Sequence, residues 1–367
     1  MKQQHVWKLV VALLLACGLA QAQTITTFDA PGAGTASGQG TLGEGINPAG
    51  TIWGYDFDSS DVAHGYLRTS DGTFTAVDAP GAGAGSGQGT FAFCLSPAGA
   101  LAGYYIDGSM VAHGFVRASD GSFTTFDAPD AGTSSGQGTF AENIDRAGGV
   151  AGYYIDANTN FHGFLRTSTG DFVSFNAQDA GTGADQGTVP SAIIGLNAAG
   201  KISGTYADAN TVLHGFLRSL DGDITTFDAP GAGTGTGQGT NNSGLNSAGT
   251  TMGFYIDSNG ADHGYVRASS GTITTFDVTG AGTASGQGTE PEGINAEGAI
   301  TGQYIDSNGV NHGFLRASNG TISTFDAPGA GTSSGQGTVA LTNNPMGAIT
   351  GFEVDSSGVS HGFLRTP

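Results

Sequence analysis

Residues 89–128 read GTFAFCLSPAGALAGYYIDGSMVAHGFVRASDGSFTTFDA, and this stretch decides the fold. Turn-forming residues divide it into four short segments rich in Phe, Tyr and Thr, which is typical of β-strands joined by tight hairpins. The strands that this pattern predicts are Thr90–Leu95, Leu101–Ile106, His113–Ala118 and Ser122–Asp127. The sequence therefore predicts an all-β unit, a four-stranded antiparallel meander.

The same unit recurs seven times along the chain. The motif His-Gly-[Phe/Tyr]-[Leu/Val]-Arg begins at His64, His113, His162, His214, His263, His312 and His361. A four-stranded meander repeated at such a period is typical of a propeller blade. The predicted blades are residues 40–79, 89–128, 138–177, 187–229, 239–278, 288–327 and 337–367, the last completed by residues 23–30. We therefore expect a seven-bladed β-propeller whose N-terminal strand joins the last blade and closes the ring, which leaves no open sheet edge.

Composition and charge exclude several classes of protein. The 66 glycines argue against a helical protein, and 38% hydrophobic residues are enough to build a core. The formal net charge is −20, from 11 Lys and Arg against 31 Asp and Glu. Because nucleic-acid binding depends on basic residues that neutralise phosphates, we expect no nucleic-acid partner.

Residues 1–22 have the pattern of a secretory signal peptide. An apolar stretch, Leu9–Ala20, is followed by an Ala-x-Ala cleavage site at Ala20–Ala22. This stretch is too short to span a membrane, so a secreted or periplasmic domain of residues 23–367 is predicted, without a disulfide and as a monomer. The alternative is a lipoprotein signal in which Cys17 is lipidated and anchors the protein.

The repeat resembles the bacterial extracellular HAF repeats, which combine an Ile-Asn-x-x-Gly-x-Ile-x-Gly stretch with a following His-Ala-Phe. Residues Ile46–Gly54 match the first part and precede His64-Gly65-Tyr66, and Ile294–Gly302 likewise precedes His312-Gly313-Phe314. Glycine replaces the middle alanine of the signature. The resemblance covers all seven units and implies export and a propeller-like fold, but no agreed activity or catalytic residues.

An aspartate lies six residues before each motif histidine, and another lies across the next turn. Counting along the strands places Asp58, His64 and Asp78 side by side on three adjacent strands. Carboxylates and imidazole suit divalent ions, with Ca²⁺ favoured over Zn²⁺ at these acidic loops. The other interpretation is a hydrogen-bonded histidine that fixes strand ends, and seven-fold repetition favours it; no cofactor is then required. Equivalent candidate triplets are Asp107, His113, Asp127 and Asp257, His263, Asp277.

Glycine-rich crossover loops link the units, and each ends in Gln-Gly-Thr. They lack the Lys-Ser/Thr ending of a phosphate-binding loop. Uncharged amides and hydroxyls around a channel mouth would suit hydroxyl-rich ligands such as glycans. The alternative is that these amides bond the backbone of their own loop. The candidate ligand-binding residues are Gln39, Gln88, Gln137, Gln186, Gln238, Gln287 and Gln336. The motif arginines are expected to pack between blades and to pair with carboxylates.

Two features break the repeat symmetry. The fourth blade carries an insertion near Ala192–Gly195, so a unique site would be sought there. Glu44, Glu142 and Glu292 occupy equivalent first-strand positions and are expected to line the channel. A hydrolase would need two such carboxylates at a suitable separation.

These observations favour an exported, non-enzymatic propeller that binds extracellular carbohydrate or a cell-surface partner through its crossover-loop face. One alternative is a polysaccharide hydrolase or lyase with an asymmetric site near the fourth blade. Another is a purely structural envelope protein.

Overall fold

The computed structural model describes residues 23–192 and 194–367. The predicted signal peptide and the Cys17 lipidation site lie outside this part of the chain. The described residues form twenty-eight strands and the turns between them, with no helix among them. No helix long and apolar enough to cross a membrane occurs in the described chain.

The strands repeat as seven antiparallel four-stranded units. The first strands are β2 (Gly40–Ile46), β6 (Gly89–Leu95), β10 (Gly138–Ile144), β14 (Gly187–Pro190), β18 (Gly239–Leu245), β22 (Gly288–Ile294) and β26 (Gly337–Asn343). The second strands are β3 (Ile52–Phe57), β7 (Leu101–Ile106), β11 (Val150–Ile155), β15 (Ile202–Ala207), β19 (Thr251–Ile256), β23 (Ile300–Ile305) and β27 (Ile349–Val354).

The motif histidines lie on the third strands. These strands are β4 (Ala63–Arg68), β8 (Ala112–Arg117), β12 (Phe161–Arg166), β16 (Leu213–Arg218), β20 (Asp262–Arg267), β24 (Asn311–Arg316) and β28 (Ser360–Thr366). The fourth strands are β5 (Phe74–Val77), β9 (Phe123–Phe126), β13 (Phe172–Phe175), β17 (Ile224–Phe227), β21 (Ile273–Phe276), β25 (Ile322–Phe325) and, from the N-terminus, β1 (Thr24–Phe28).

The two ends of the described chain pair with each other. Strand β1 runs antiparallel to β28, with Thr24 opposite Thr366 and Phe28 opposite Gly362. The N-terminal strand thus supplies the fourth strand of the last unit, as the sequence predicts. This pairing completes the ring, because β28 also meets β2 of the first unit through Ser360 and Gly40.

The prediction of a seven-bladed propeller with four strands in each blade requires correction. Single-residue parallel pairings join the third strand of each unit to the first strand of the next, as between Ala63 and Gly89. The first three strands of all units therefore form a closed ring of 21 strands within one continuous 28-stranded sheet. The fourth strands are attached outside this ring.

The glycine of Gln-Gly-Thr makes these junctions. Gly89 has φ +113°, and a Cβ atom placed on it would lie 2.1 Å from the carbonyl oxygen of Ala63. Only glycine allows this approach, in which the N–H of Ala63 donates to the carbonyl of Gln88 at 2.8 Å. Positive φ recurs at the same place in every unit, at Gly40, Gly138, Gly187, Gly239, Gly288 and Gly337.

The hydrophobic core lies between neighbouring units. The aromatic residue of each His-Gly-[Phe/Tyr] motif is buried there; Phe164, for example, is fully buried and lies 6.5 Å, between ring centroids, from Phe126 of the preceding unit. The motif arginines cover this core from outside: the guanidinium of Arg166 lies 4.6 Å from the Phe126 ring of the preceding unit. The motif arginines were also predicted to pair with carboxylates, and this is not observed. Every ion pair among the described residues joins a histidine to an aspartate.

Candidate functional site

The Asp–His–Asp triplets assemble across three strands in the register counted from the sequence. His64 Nδ1 lies 2.9 Å from Asp78 Oδ1, and Nε2 lies 3.7 Å from Asp58 Oδ2. The second unit repeats this arrangement with Asp107, His113 and Asp127, and the fifth with Asp257, His263 and Asp277. Because the two nitrogens of an imidazole point away from each other, these carboxylates do not converge on one ion.

The first aspartate of the triplet also builds its loop. Asp58 Oδ1 accepts hydrogen bonds from the N–H groups of Ser60 and Val62, at 2.7 and 2.9 Å. These bonds, the Val62 one foremost, lower the pKa of Asp58. In the described ranges, no group of three or more His, Cys, Asp and Glu side chains is arranged to hold a metal ion. This geometry favours the structural interpretation of the triplets.

The crossover-loop glutamines are engaged within their own loops. Gln39 Oε1 accepts the N–H of Ala36 at 3.1 Å, while its Nε2 donates to Asp61 at 2.8 Å. In each of the other units the amide oxygen likewise accepts an N–H from three residues earlier. The glutamines so placed are Gln88, Gln137, Gln186, Gln238, Gln287 and Gln336. Their oxygens hold the loop backbone, which favours the alternative given for them above.

Three glutamates from first strands approach the centre of the ring. Burial raises the pKa of Glu44 to about 7, against a hydrogen bond from Tyr55 that lowers it. Burial, and then the charge of Glu44, raises the pKa of Glu142 to about 8. Glu292 reaches about the same pKa through burial and the charges of Glu290 and Glu44. Carboxyl groups shifted this far, facing one space, mark a candidate functional site.

These carboxyls predict a pH dependence of stability. Between the unfolded-state pKa of 4.5 and the folded-state pKa of about 8, such a carboxyl is protonated in the fold and ionised in the unfolded chain. Its contribution to stability is therefore complete below pH 4.5 and is lost as pH rises through about 8. The Tm of the protein should fall between pH 5 and pH 9, and the double variant Glu142→Gln, Glu292→Gln should show a smaller fall. Thermal unfolding monitored by circular dichroism at both pH values measures this.

The control for that experiment is Glu297→Gln, because Glu297 is exposed in a turn. The Tm of this variant should fall between pH 5 and pH 9 by as much as the Tm of the unaltered protein. An unchanged slope in the double variant would show that these two carboxyls ionise in the fold as they do in water.

The channel has two different walls. Aromatic rings from the first three units form one wall: Tyr104 stacks on Phe91 and Phe93 at 5.0 and 5.3 Å, and Tyr153 stacks on Phe140 at 4.8 Å. The opposite wall, from units four to six, carries polar groups instead, chiefly Ser191, Asn241, Asn242, Glu290 and Glu292. The lining of the channel is therefore asymmetric, although the seven units repeat the same four strands.

The fourth-unit insertion crosses the channel at the end of the ring where the first strand of each unit turns into the second. Gly195 donates its N–H to Asn143 Oδ1 at 2.7 Å, and Leu245 donates its N–H to the carbonyl of Ile194 at 3.0 Å. A small apolar cavity of about 280 Å³ remains there, lined in part by Trp53 and Ile194. The insertion thus bridges units three and five.

A larger cavity of about 490 Å³ lies between the two walls of the channel. Tyr153 and Phe254 give it aromatic surfaces, and Glu142, Asn241 and Glu292 give it polar groups. Asn241 Oδ1 accepts the Thr205 hydroxyl at 3.0 Å, which leaves its Nδ2 without a partner in the described chain. Glu142 Oε2 is buried and also has no hydrogen-bond partner there.

A second cavity, of about 460 Å³, continues this space toward the crossover loops. It shares Phe254 and Glu290 with the channel cavity and is lined further by Gln238, Asn259 and Ser285. Of the seven predicted glutamines, Gln238 is the one that borders this groove. The two cavities adjoin at Phe254 and Glu290, and we call them together the polar groove, which extends from the channel to the crossover loops.

The sequence reasoning missed a buried acidic pair beside the groove. Asp262 lies close to Glu290, and Gln303 Nε2 donates to Glu290 Oε2 at 2.6 Å. Burial, followed by the nearby Glu290, raises the pKa of Asp262 to about 7. The signal was available: alignment of the repeats puts Asp262 where two units have alanine, at Ala63 and Ala112.

Solved structures that resemble the chain are propeller-like. A streptogramin B lyase superposes with a TM-score of 0.58 at 12% identity, over 93% of this chain and 97% of the lyase. The lectin BP39L from Burkholderia pseudomallei has a TM-score of 0.56 at 11% identity, over 85% of this chain and 91% of the lectin. At such identities the likeness concerns the fold alone. No protein-family model and no curated protein matches the sequence. The chain thus has an all-β, propeller-like fold.

Proposed function

We propose that this chain is an exported, propeller-like protein of the HAF-repeat type that binds carbohydrate in its channel groove. The observation that carries the proposal is the polar groove itself, which joins the channel cavity to the crossover-loop face. Most glycan contacts would therefore lie deeper in the channel than the glutamines of the crossover loops. Of the seven glutamines, Gln238 alone would take part.

The lining of the channel cavity suits a sugar. Sugars present apolar faces that pack on aromatic rings and hydroxyls that need hydrogen-bond partners, and Tyr153 and Phe254 together with Asn241 supply both. The free Nδ2 of Asn241 can donate to a hydroxyl, and the buried Glu142 carboxyl can accept or donate one. A cavity of about 490 Å³ accommodates one or two sugar rings, and the groove provides room for an oligosaccharide.

The overall charge limits the class of glycan. The channel already holds several carboxyls, and few basic residues are available to balance another anion. A neutral oligosaccharide is therefore favoured over a uronate or sulfated chain.

A glycan array probed with residues 23–367, with Ca²⁺ and with a chelator, tests the proposal first. A neutral oligosaccharide that binds in both conditions is the expected result, because the groove uses no metal-ligating triplet. The best binder is then titrated by calorimetry against Phe254→Ala, which should weaken it by roughly tenfold or more, since one aromatic–sugar platform is lost.

Phe352→Ala is the matched control. Phe352 holds the same second-strand position in unit seven, where it is half-buried and lies outside the groove. Its replacement should leave glycan affinity unchanged. Equal losses in the two variants, or binding only in the presence of Ca²⁺, would contradict the channel proposal; binding that needs Ca²⁺ would support the Asp–His–Asp triplets as ion sites.

The raised pKa values of Glu142 and Glu292 favour one second function, cleavage of a bound polysaccharide by acid–base catalysis. Release of reducing ends from the array-selected glycan, lost in Glu142→Gln with binding retained, would establish a hydrolase or lyase. Stoichiometric binding without such release would leave the binding module.

A further inference from the structure

Five of the seven units contain a slot filled by a tyrosine. The side chain at the fifth position of the second strand packs flat on the motif histidine, as Tyr105 does on His113 with 4.9 Å between ring centroids. Its hydroxyl end lies under the preceding crossover loop, so that a Cβ atom on Gly81 would be 3.3 Å from Tyr105 Oη. The same stacking occurs between Tyr154 and His162, Tyr206 and His214, Tyr255 and His263, and Tyr304 and His312.

The first and seventh units lack the ring. In the seventh unit Glu353 takes the tyrosine position opposite His361 and reaches the covering loop, where a Cβ atom on Gly329 would be 2.8 Å from its Oε1; the first unit leaves the slot open. Asp56 takes the tyrosine position opposite His64, and a Cβ atom on Gly32 of the covering loop would meet nothing within 4 Å. The His64 side chain is accordingly 40% exposed, against 22–26% for the other motif histidines. A cavity of about 490 Å³ lies here, with Tyr66 and Phe74 among its walls.

Asp56 is the unusual group in this cavity. Its residue is only 4% exposed, it lines the cavity, and its carboxylate has no hydrogen-bond donor among residues 23–192 and 194–367. Asp58 and Asp78 also line the cavity, on either side of the His64 ring. Burial raises the pKa of Asp56 to about 6, so the group is still mostly ionised at neutral pH. A buried, ionised and unpaired carboxylate needs a cationic partner.

We propose that this cavity, which we call the Asp56 slot, binds a small arylalkylamine. The flat ring of the amine occupies the space of the missing tyrosine ring and packs on the His64 imidazole. Its ammonium group pairs with Asp56. A metal ion suits the slot less well, since it would use the carboxylates but leave the ring-shaped space over His64 unfilled. The slot lies between the last and first units and is independent of the glycan groove.

Isothermal titration of residues 23–367 with tyramine at pH 7.5 tests this inference. We expect one site, and binding of 4-ethylphenol, the neutral analogue, that is weaker by roughly tenfold or more because it lacks the charge-assisted bond. Asp56→Asn should bring tyramine binding down to the level of 4-ethylphenol. Asp56→Tyr should abolish binding, since it fills the slot with the residue that five other units carry.

Two further measurements make the test decisive. Asp56→Tyr restores the repeat consensus, so its Tm should be at least that of the unaltered protein, and loss of binding cannot then be ascribed to unfolding. Tyr105→Asp should open an equivalent slot in unit two and raise the tyramine stoichiometry from one to two. Tyramine binding that survives in Asp56→Tyr would overturn the inference. It would also be overturned if the unaltered protein bound CaCl₂ but not tyramine, and if Asp56→Asn then lost the CaCl₂ binding.

Discussion

Gly89→Ala is expected to lower the free energy of unfolding by about 3 kcal/mol or more, through backbone strain together with steric overlap. The φ of +113° is strained for any residue with a Cβ atom, and that atom would lie 2.1 Å from the Ala63 carbonyl oxygen. The contact cannot be relieved by a side-chain rotation, because its partner is backbone. Relief requires units one and two to separate and to give up the Ala63–Gln88 hydrogen bond. Denaturant unfolding followed by tryptophan fluorescence measures the change.

Gly108→Ala is the control for this variant. Gly108 lies in an exposed turn, does not have positive φ, and has nothing within 4 Å of its Cβ position. Alanine there should leave the stability unchanged or raise it slightly, by reducing the freedom of the unfolded chain. If Gly89→Ala were as harmless as Gly108→Ala, the junction between units would be looser than the single-residue pairing implies.

Phe28→Ala is expected to lower the free energy of unfolding by about 3 kcal/mol. Phe28 belongs to β1 and packs against Tyr66 and Phe74 of the first unit, with ring centroids 6.5 and 6.1 Å away. The Arg68 guanidinium covers the same ring at 4.6 Å. Its loss therefore weakens the seam where the two ends of the ring meet, as well as leaving a cavity. The midpoint of urea unfolding reports the loss.

Thr27→Ala on the same strand serves as its control, because Thr27 is exposed. It should change the stability by a few tenths of a kcal/mol at most. Because β1 closes the ring, Phe28→Ala should also increase amide hydrogen exchange in β28 more than in β8, a distant third strand. Equal increases in both strands would indicate global destabilisation without opening of the seam.

The local structure of each unit was predictable from the sequence. The predicted second strand of unit two coincides with β7, Leu101–Ile106, and the other three agree within a residue at each end. Turn residues and two-residue alternation are local signals, so they place strand ends and faces without knowledge of the tertiary fold. The same alternation put His64 beside Asp58 and Asp78, since counting across a short turn fixes the cross-strand register.

The candidate sites were less accessible to this reasoning. Asp56 stands where five units carry tyrosine, and Asp262 stands where no other unit carries an acidic residue, yet each reads as an ordinary substitution in a single strand. Their meaning depends on what they replace: a stacked tyrosine in one case and an apolar or neutral residue in the other. A comparison of the seven units position by position would have drawn attention to both.

The sequence by itself determined the number of units, the four strands in each, the closing role of Thr24–Phe28 and the side-by-side placement of each aspartate and histidine. These features follow from turn chemistry and strand periodicity, which act over a few residues. Only the tertiary structure decided that the units join through Gly89 and its equivalents, that Glu142 and Glu292 line one cavity with Tyr153 and Phe254, and that the slot over Asp56 is open. The physical reason is that these contacts link residues far apart along the chain, so their distances depend on how the ring closes and not on any local pattern.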